Sequence, residues 1–376
     1  MPQLSYWEST TYYKKYDVAI IGSGLMGLWT ALELKQRQPN LSVIILEKDS
    51  IPTGASTRNA GFACFGSPTE LLADTATMGE ATMWQIVDLR YKGIEKIKQY
   101  FTADDIDFDA CGGYELYHQP MHDIGYLAHA MEDLNKGMKA ITGQSNAFYW
   151  ANEKIQEFGF AGFDAMIGNA MEGGLHSGKL VQALTRKVLL AGVEIRSGIT
   201  ISATQKTTTG VLLMGNNVEC HASTVLYCTN GFTTTYLPKT QIEPARGQVL
   251  VTAPIEGLAA KGTFHYDCGY YYFRNVGNRI LLGGARNKSF DTECTTVLET
   301  NEVIQAALED FLQQHILPHQ PYTIDYRWAG LMGFTNNKLP QITTVDDHIF
   351  AATICNGMGV ALSPIMAEQA AAILLQ

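Results

Sequence analysis

The chain reads as an α/β protein of two interleaved lobes. One lobe opens on a dinucleotide-type unit, and the other is a discontinuous α+β lobe built on a mostly antiparallel sheet. Three observations predict this. At 376 residues the chain exceeds what one hydrophobic core usually serves. Near its start a strand, a glycine-rich turn, a helix and a second strand follow in order. Further along, residues 243–285 read as a run of successive strands.

Taken in order, Asp17-Val18-Ala19-Ile20-Ile21 is a short apolar run rich in β-branched residues, hence a buried strand. It turns at Gly22 into a helical stretch over about 25–37, with Leu25, Leu28, Leu32 and Leu34 among its apolar positions. After Pro39-Asn40 a second buried strand covers 42–46, and the β-α-β unit sets a parallel sheet. Residues 50–67 lack periodicity and are rich in Gly, Ser, Thr and Asn; an irregular loop of that length is usually functional. Helical character follows over 69–101, strand character over 112–117, and helical character again near 121–140. A helix over 179–191 leads through Gly192 into Val193-Glu194-Ile195, then alternating runs at 200–205, 209–214 and 217–221 and a strand at 224–227. A helix at 299–315 stands behind the strands of 243–285. The chain closes on a strand at 349–352, the turn Asn356-Gly357-Met358-Gly359 and a last helix. Residues 1–68, 172–243 and 335–376 are therefore assigned to one lobe, and 69–171 and 244–334 to the other.

Apolar residues make up 46% and charged ones 17%, which suits a compact enzyme rather than a disordered or fibrous chain. The net charge of −10, without any basic run, excludes nucleic acid as an expected partner, because phosphate neutralisation needs clustered Lys and Arg. Seven cysteines, an odd number with no CxxC pair, predict a reducing, cytoplasmic setting without a zinc site or disulfide framework. No apolar run reaches the length of a membrane span, and the first fifteen residues lack the features of a signal peptide.

Chemistry enters at Gly22-x-Gly24-x-x-Gly27, between the first strand and its helix, with Glu47 twenty residues after Gly27. Gly22 permits the tight turn, Gly24 lets backbone approach a pyrophosphate, and Gly27 lets the helix pack on the strands. The helix N-terminus, where Met26 lies, supplies N–H donors and a positive dipole end. Glu47 accepts from ribose hydroxyls, which favours FAD or NAD over NADP, and Lys48 adjoins it. This is a dinucleotide-binding, Rossmann-like lobe.

Gly54-Ala55-Ser56-Thr57-Arg58-Asn59-Ala60-Gly61 then resembles the fingerprint of the D-amino-acid oxidase, glycine oxidase and sarcosine oxidase superfamily. The resemblance implies FAD, with this segment wrapping the pyrophosphate and reaching the flavin ring. Its small side chains bring N–H groups close, and Arg58 adds a fixed cation. Further segments resemble the same family: Val193 before its third strand, the turn Thr229-Asn230-Gly231, the strand Pro244-Ala245-Arg246-Gly247-Gln248, the strand pair over 270–284, and Trp328-Ala329-Gly330. Gly357-x-Gly359 opens a helix that, by this resemblance, aims its N-terminus at the flavin's pyrimidine edge, where a positive dipole end favours reduction. No Cys lies between Trp328 and Gln341 and no His precedes residue 118, so the FAD is expected to be non-covalent.

By the same resemblance the substrate is an amine or amino-acid-like molecule whose C–N bond is oxidised, with oxygen or another electron acceptor following. The relatives' carboxylate-gripping Arg is replaced by Met332, which moves the expectation from glycine or D-alanine to larger amines, such as those of gamma-glutamylputrescine oxidases. A 2-hydroxy-acid dehydrogenase, and a flavoprotein subunit without independent activity, remain the alternatives. Alternation puts Tyr270, Tyr272 and Arg274 on one face of their strand. Tyr270 resembles the family's pocket tyrosine, and Arg274 reads either as a substitute carboxylate grip or as a rim Arg in a surface pair. His176 reads as a pocket contact or as a helix-entry histidine bonded to backbone. Cys64 and Cys355 read as small packing residues, and Lys338, in Thr335-Asn336-Asn337-Lys338, reads as a cation near the flavin or in solvent. The histidines show no ligand spacing, so no metal is expected, while an oligomer stays open.

Overall fold

Short β-branched strands followed by helices build the first sheet, and antiparallel hairpins build the second. The computed structural model describes residues 3–119, 121, 123–216, 218–335, 338–353 and 356–376. The chain forms two compact units, Met1–Thr57 with Gly178–Pro244 and Met332–Gln376, and Arg58–Ser177 with Ala245–Leu331.

In the first unit, Tyr16–Ile21 pairs in parallel with Val43–Leu46 on one side and Val218–Tyr227 on the other. Glu194–Arg196 extends the parallel set beyond Val43–Leu46, and Ile349–Thr353 extends it beyond Val218–Tyr227. Val43–Leu46 is buried along its whole length, the mark of a central parallel strand covered on both faces. The helix Leu25–Arg37, buried from Leu25 to Leu34, packs with the closing helix Gly359–Leu374. The runs expected separately at 217–221 and 224–227 are one strand, Val218–Tyr227, paired antiparallel with Gly210–Gly215.

The second unit carries the strand order Ile324–Phe334, Glu243–Thr252, Arg279–Gly284, Tyr271–Val276, Thr263–Tyr266, Gly113–Tyr117, Ala165–Asn169, Phe148–Trp150. Thr263–Tyr266 and Gly113–Tyr117 pair in parallel, whereas both flanking pairs are antiparallel. One sheet face holds Leu116, Phe264, Phe273, Leu282 and Leu250 against Ile304, Leu308 and Phe311 of the helix Glu302–Phe311. Each such fully buried side chain contributes about 1.5–3 kcal/mol. The other face carries Glu115, His265, Tyr272 and Arg274 along with the apolar Val249, Val251 and Leu281.

Three stretches differ from expectation. The helical run at 69–101 is two helices, Pro68–Met78 and Glu80–Tyr100, because Gly79 takes φ 84°. The loop at 50–67 contains a helical turn, Ala55–Arg58, and a strand, Phe62–Ala63, paired with Gly173–Gly174. The helix at 299–315 ends in a π turn, Leu312–Ile316. Among the described residues no helix is long and apolar enough to cross a membrane.

Candidate functional site

The first unit gathers backbone donors around its glycine turn. Gly22 takes φ 104°, and a Cβ there would lie 2.8 Å from the carbonyl oxygen of Cys228. A Cβ on Gly27 would lie 2.1 Å from the carbonyl oxygen of Gly22, and one on Gly24 would lie 2.8 Å from Ser56 Oγ. Ser56 Oγ accepts from Leu25 N at 2.8 Å, the first N–H of the helix Leu25–Arg37. The N–H groups of Met26 and Gly27 have no acceptor among the described residues. Open donors at the positive end of a 13-residue helix, over a turn that only glycine can form, fit the pyrophosphate of a dinucleotide.

Glu47 is buried, and its Oε2 accepts from Ser23 N at 2.8 Å and Ser23 Oγ at 2.9 Å. Its other oxygen takes only a long bond, 3.3 Å, from Asp49 N, leaving capacity for a ribose hydroxyl. Lys48 Nζ stands 4.1 Å over the ring of Phe232. Ala55 opens the helical turn, and Thr57 Oγ1 donates to Pro52 O at 2.5 Å. Val193 is buried beside the edge strand Glu194–Arg196. Thr229 Oγ1 bonds Thr233 Oγ1, Asn230 Oδ1 accepts from Gly333 N at 3.1 Å, and Gly231 is buried. Asn356 and Gly357 take positive φ ahead of Met358, the uncapped entry to the helix Gly359–Leu374. Asn336, Asn337 and Cys355 lie outside the described residues, while Lys338 is exposed with φ 55°.

In the second unit the rest of the loop is tied down by backbone. Arg58 Nη1 donates to Ala329 O at 2.9 Å, and Trp328 Nε1 donates to Arg58 O at 2.9 Å. A Cβ on Gly330 would lie 3.2 Å from Arg58 Cβ. Asn59 Oδ1 accepts from Gly61 N at 2.8 Å and Ser177 Oγ at 2.6 Å, and Ala60 packs on Val249, Val251 and Leu281. Gly61, at φ 73°, presses on Leu175 O, where a Cβ would lie 2.2 Å away.

Arg274 is 6% exposed, so it is neither at a rim nor in a surface pair. Its Nη1 donates to Gly61 O at 2.5 Å and Leu175 O at 2.9 Å, and its Nε donates to Asn275 O at 3.1 Å. Among the described residues no carboxylate lies within ion-pair distance of it. Burial pulls its pKa below the usual guanidinium range. Tyr270 departs from expectation: the strand starts at Tyr271, and Tyr270 sits in the preceding turn, 38% exposed and edge-on to Phe290. Consequently only Tyr272 and Arg274 share the strand face. His176 is exposed, its N–H donating to Ile106 O at 2.8 Å just before the helix Ser177–Leu190. Cys64 is buried, and burial pushes its thiol well above the usual range.

His265 is a site residue that no local spacing in the sequence singles out. It stands directly opposite Tyr272 and also opposite Glu115 in the parallel pair, so the three share a row. Alternation of Thr263 and His265 was visible; the register that sets them beside Tyr272 was not. Nearby lie Glu172, pushed up to about 8 chiefly by burial, and the buried Glu115, also pushed up by burial.

The family profile described as DAO, FAD dependent oxidoreductase, matches residues 17–373. A probable oxidoreductase OrdL of Haemophilus influenzae is 23% identical, covering 94% of this chain and 81% of its own. A gamma-glutamylputrescine oxidoreductase of Escherichia coli is 24% identical, over 92% of this chain and 80% of its own. Among solved structures, the L-proline dehydrogenase of P. horikoshii has the same fold, with TM-score 0.77 and 17% identity over 96% of this chain and 94% of that one.

Proposed function

We propose that this chain, which belongs to the DAO family of FAD-dependent oxidoreductases, oxidises the C–N bond of an amine or amino-acid-like substrate. The observation that carries the reading is the match, over 92% of this chain, to a relative whose name gives gamma-glutamylputrescine, an amine, as its substrate. FAD, held non-covalently, supplies the hydride acceptor, and the oxidised product is an imine that water hydrolyses. Gly22, Gly24 and Gly27 would seat the pyrophosphate, and Glu47 the ribose. What this chain must do for the reaction is grip and orient the substrate in a place free of water. Met332, half-buried in the strand Ile324–Phe334, offers no carboxylate grip, which supports a larger amine over glycine or D-alanine. Electrons then pass to oxygen or another acceptor.

Anaerobic bleaching of the FAD-loaded protein tests this, with a panel of putrescine, gamma-glutamylputrescine, sarcosine, D-alanine and 2-hydroxy acids. Loss of flavin absorbance with one or more amines is the expected result. Bleaching by hydroxy acids alone would replace the reading with a hydroxy-acid dehydrogenase. A flavin that no compound bleaches would point to a subunit without independent activity.

A further inference from the structure

The row Glu115, His265, Tyr272 and Gly283 crosses four neighbouring strands of the second unit on the face that also carries Arg274. Two of its members leave their polar atoms unused. His265 is 8% exposed, and among the described residues nothing hydrogen-bonds its imidazole. The Tyr272 hydroxyl also lacks a partner among the described residues. His265 is buried and Tyr272 half-buried, so the two present adjacent polar atoms, without a protein partner among the described residues, that a ligand or solvent can complete.

The surroundings shape what would complete it. Phe62 packs on both rings, with centroids 5.1 Å from His265 and 6.0 Å from Tyr272. The Tyr272 ring lies over Gly283, where a Cβ would come within 2.5 Å of it, so the row has room only because that position is glycine. Glu115 does not serve His265: it accepts from Thr69 N at 2.9 Å, Thr69 Oγ1 and Tyr117 Oη at 2.7 Å. Glu70, on the helix Pro68–Met78, is paired with Arg90 at 3.0 Å. The charged groups around the imidazole are therefore Glu115 and Glu70, with Arg274 one row along. Burial lowers the pKa of His265, which keeps it neutral, and the field of Glu70 favours a proton arriving there.

We propose that His265, with the Tyr272 hydroxyl beside it, receives the amino group of the substrate and takes the proton a substrate ammonium must lose before oxidation. This rests on the amine reading above. In the step an N–H bond of the ammonium breaks, its electron pair stays on the substrate nitrogen, and the proton bonds to the imidazole nitrogen. The substrate is then a neutral amine and His265 an imidazolium, which returns its proton to water before the next turnover. A neutral imidazole has a ring-nitrogen lone pair that accepts from an ammonium, whereas an imidazolium, with both nitrogens protonated, does not.

The test is anaerobic stopped-flow reduction of the FAD-loaded chain across pH, using whichever panel amine bleaches the wild type. His265→Asn raises the Kd for that amine about tenfold, the equivalent of one hydrogen bond to a charged group. It also moves the pH midpoint of the reduction rate upward by about one unit, with flavin content unchanged. Tyr272→Phe raises Kd by a smaller factor and leaves the pH midpoint where it was. A bleached wild type whose Kd and pH midpoint are unchanged in His265→Asn overturns the proposal while leaving the amine reading intact. If His265→Asn loses flavin, Tyr272→Phe decides: an unchanged Kd overturns the proposal and a raised Kd supports it. A wild type that no amine bleaches defeats the amine reading itself, before any variant is made.

Discussion

The glycine turn of the first unit and the sheet face of the second that carries His265 are built from different materials. The turn is made of backbone: its donors are N–H groups, and its shape depends on positions where a Cβ would come within 2.8 Å of a neighbouring atom. The face is made of side chains, His265, Tyr272 and Arg274, brought together by strand register. A backbone site is written locally, in glycine spacing. A side-chain site is written only in the pairing of segments distant in the chain.

Substitutions can break or sharpen this contrast. The largest effect is expected at Gly27→Ala, whose methyl would meet the Gly22 carbonyl at 2.1 Å. That collision is with backbone and has nowhere to go, so the purified variant is expected to carry no FAD, as read from its absorbance after desalting. Retention of a full flavin complement would mean the turn is not the cofactor's seat.

Next comes Arg274→Met, which removes donors from the carbonyls of Gly61 and Leu175. An unsatisfied buried acceptor costs about 1–3 kcal/mol. A fall in denaturation midpoint is expected, with little change in substrate Kd. A stable variant that binds carboxylate-bearing amines poorly would instead make Arg274 the substrate's grip.

The smallest effect concerns pH. Burial, reinforced by Glu70 and opposed by the Phe65 N–H, pushes the Glu172 carboxyl up from 4.5 to about 8. The folded chain thus holds a proton that the unfolded chain releases. This contribution to stability is whole below pH 4.5 and is lost as pH rises towards 8. Glu172→Gln keeps the acceptor for Phe65 N, at 2.9 Å in the wild type, and is expected to flatten the decline. Urea melts at several pH values across that window check it, and an unchanged slope would assign the decline to other groups.

Much of the first unit was legible because its signals are short-range. The run 17–21, the glycines after it and Glu47 lie within about one β-α-β unit, and the parallel sheet follows from them. Less was legible in the second unit. Alternation placed Tyr272 and Arg274 on one face, but it also placed Tyr270 there. The turn before it, with Asp267 at φ 54° and Cys268 at φ 52°, takes left-handed backbone at non-glycine residues, which composition does not announce. His265 lay in plain view as one histidine among nine, without spacing to single it out.

By itself the sequence determined the FAD-binding class of the chain and the interleaving of the units. Those features are set by residue type and by separation along the chain. Only the tertiary structure decided that Arg274 spends its donors on Gly61 and Leu175, and that His265 and Tyr272 stand side by side without a protein partner among the described residues. The reason is physical. A parallel strand pair joins Gly113–Tyr117 to Thr263–Tyr266 across a long stretch of chain, and a slip of one residue would turn every side chain to the other face.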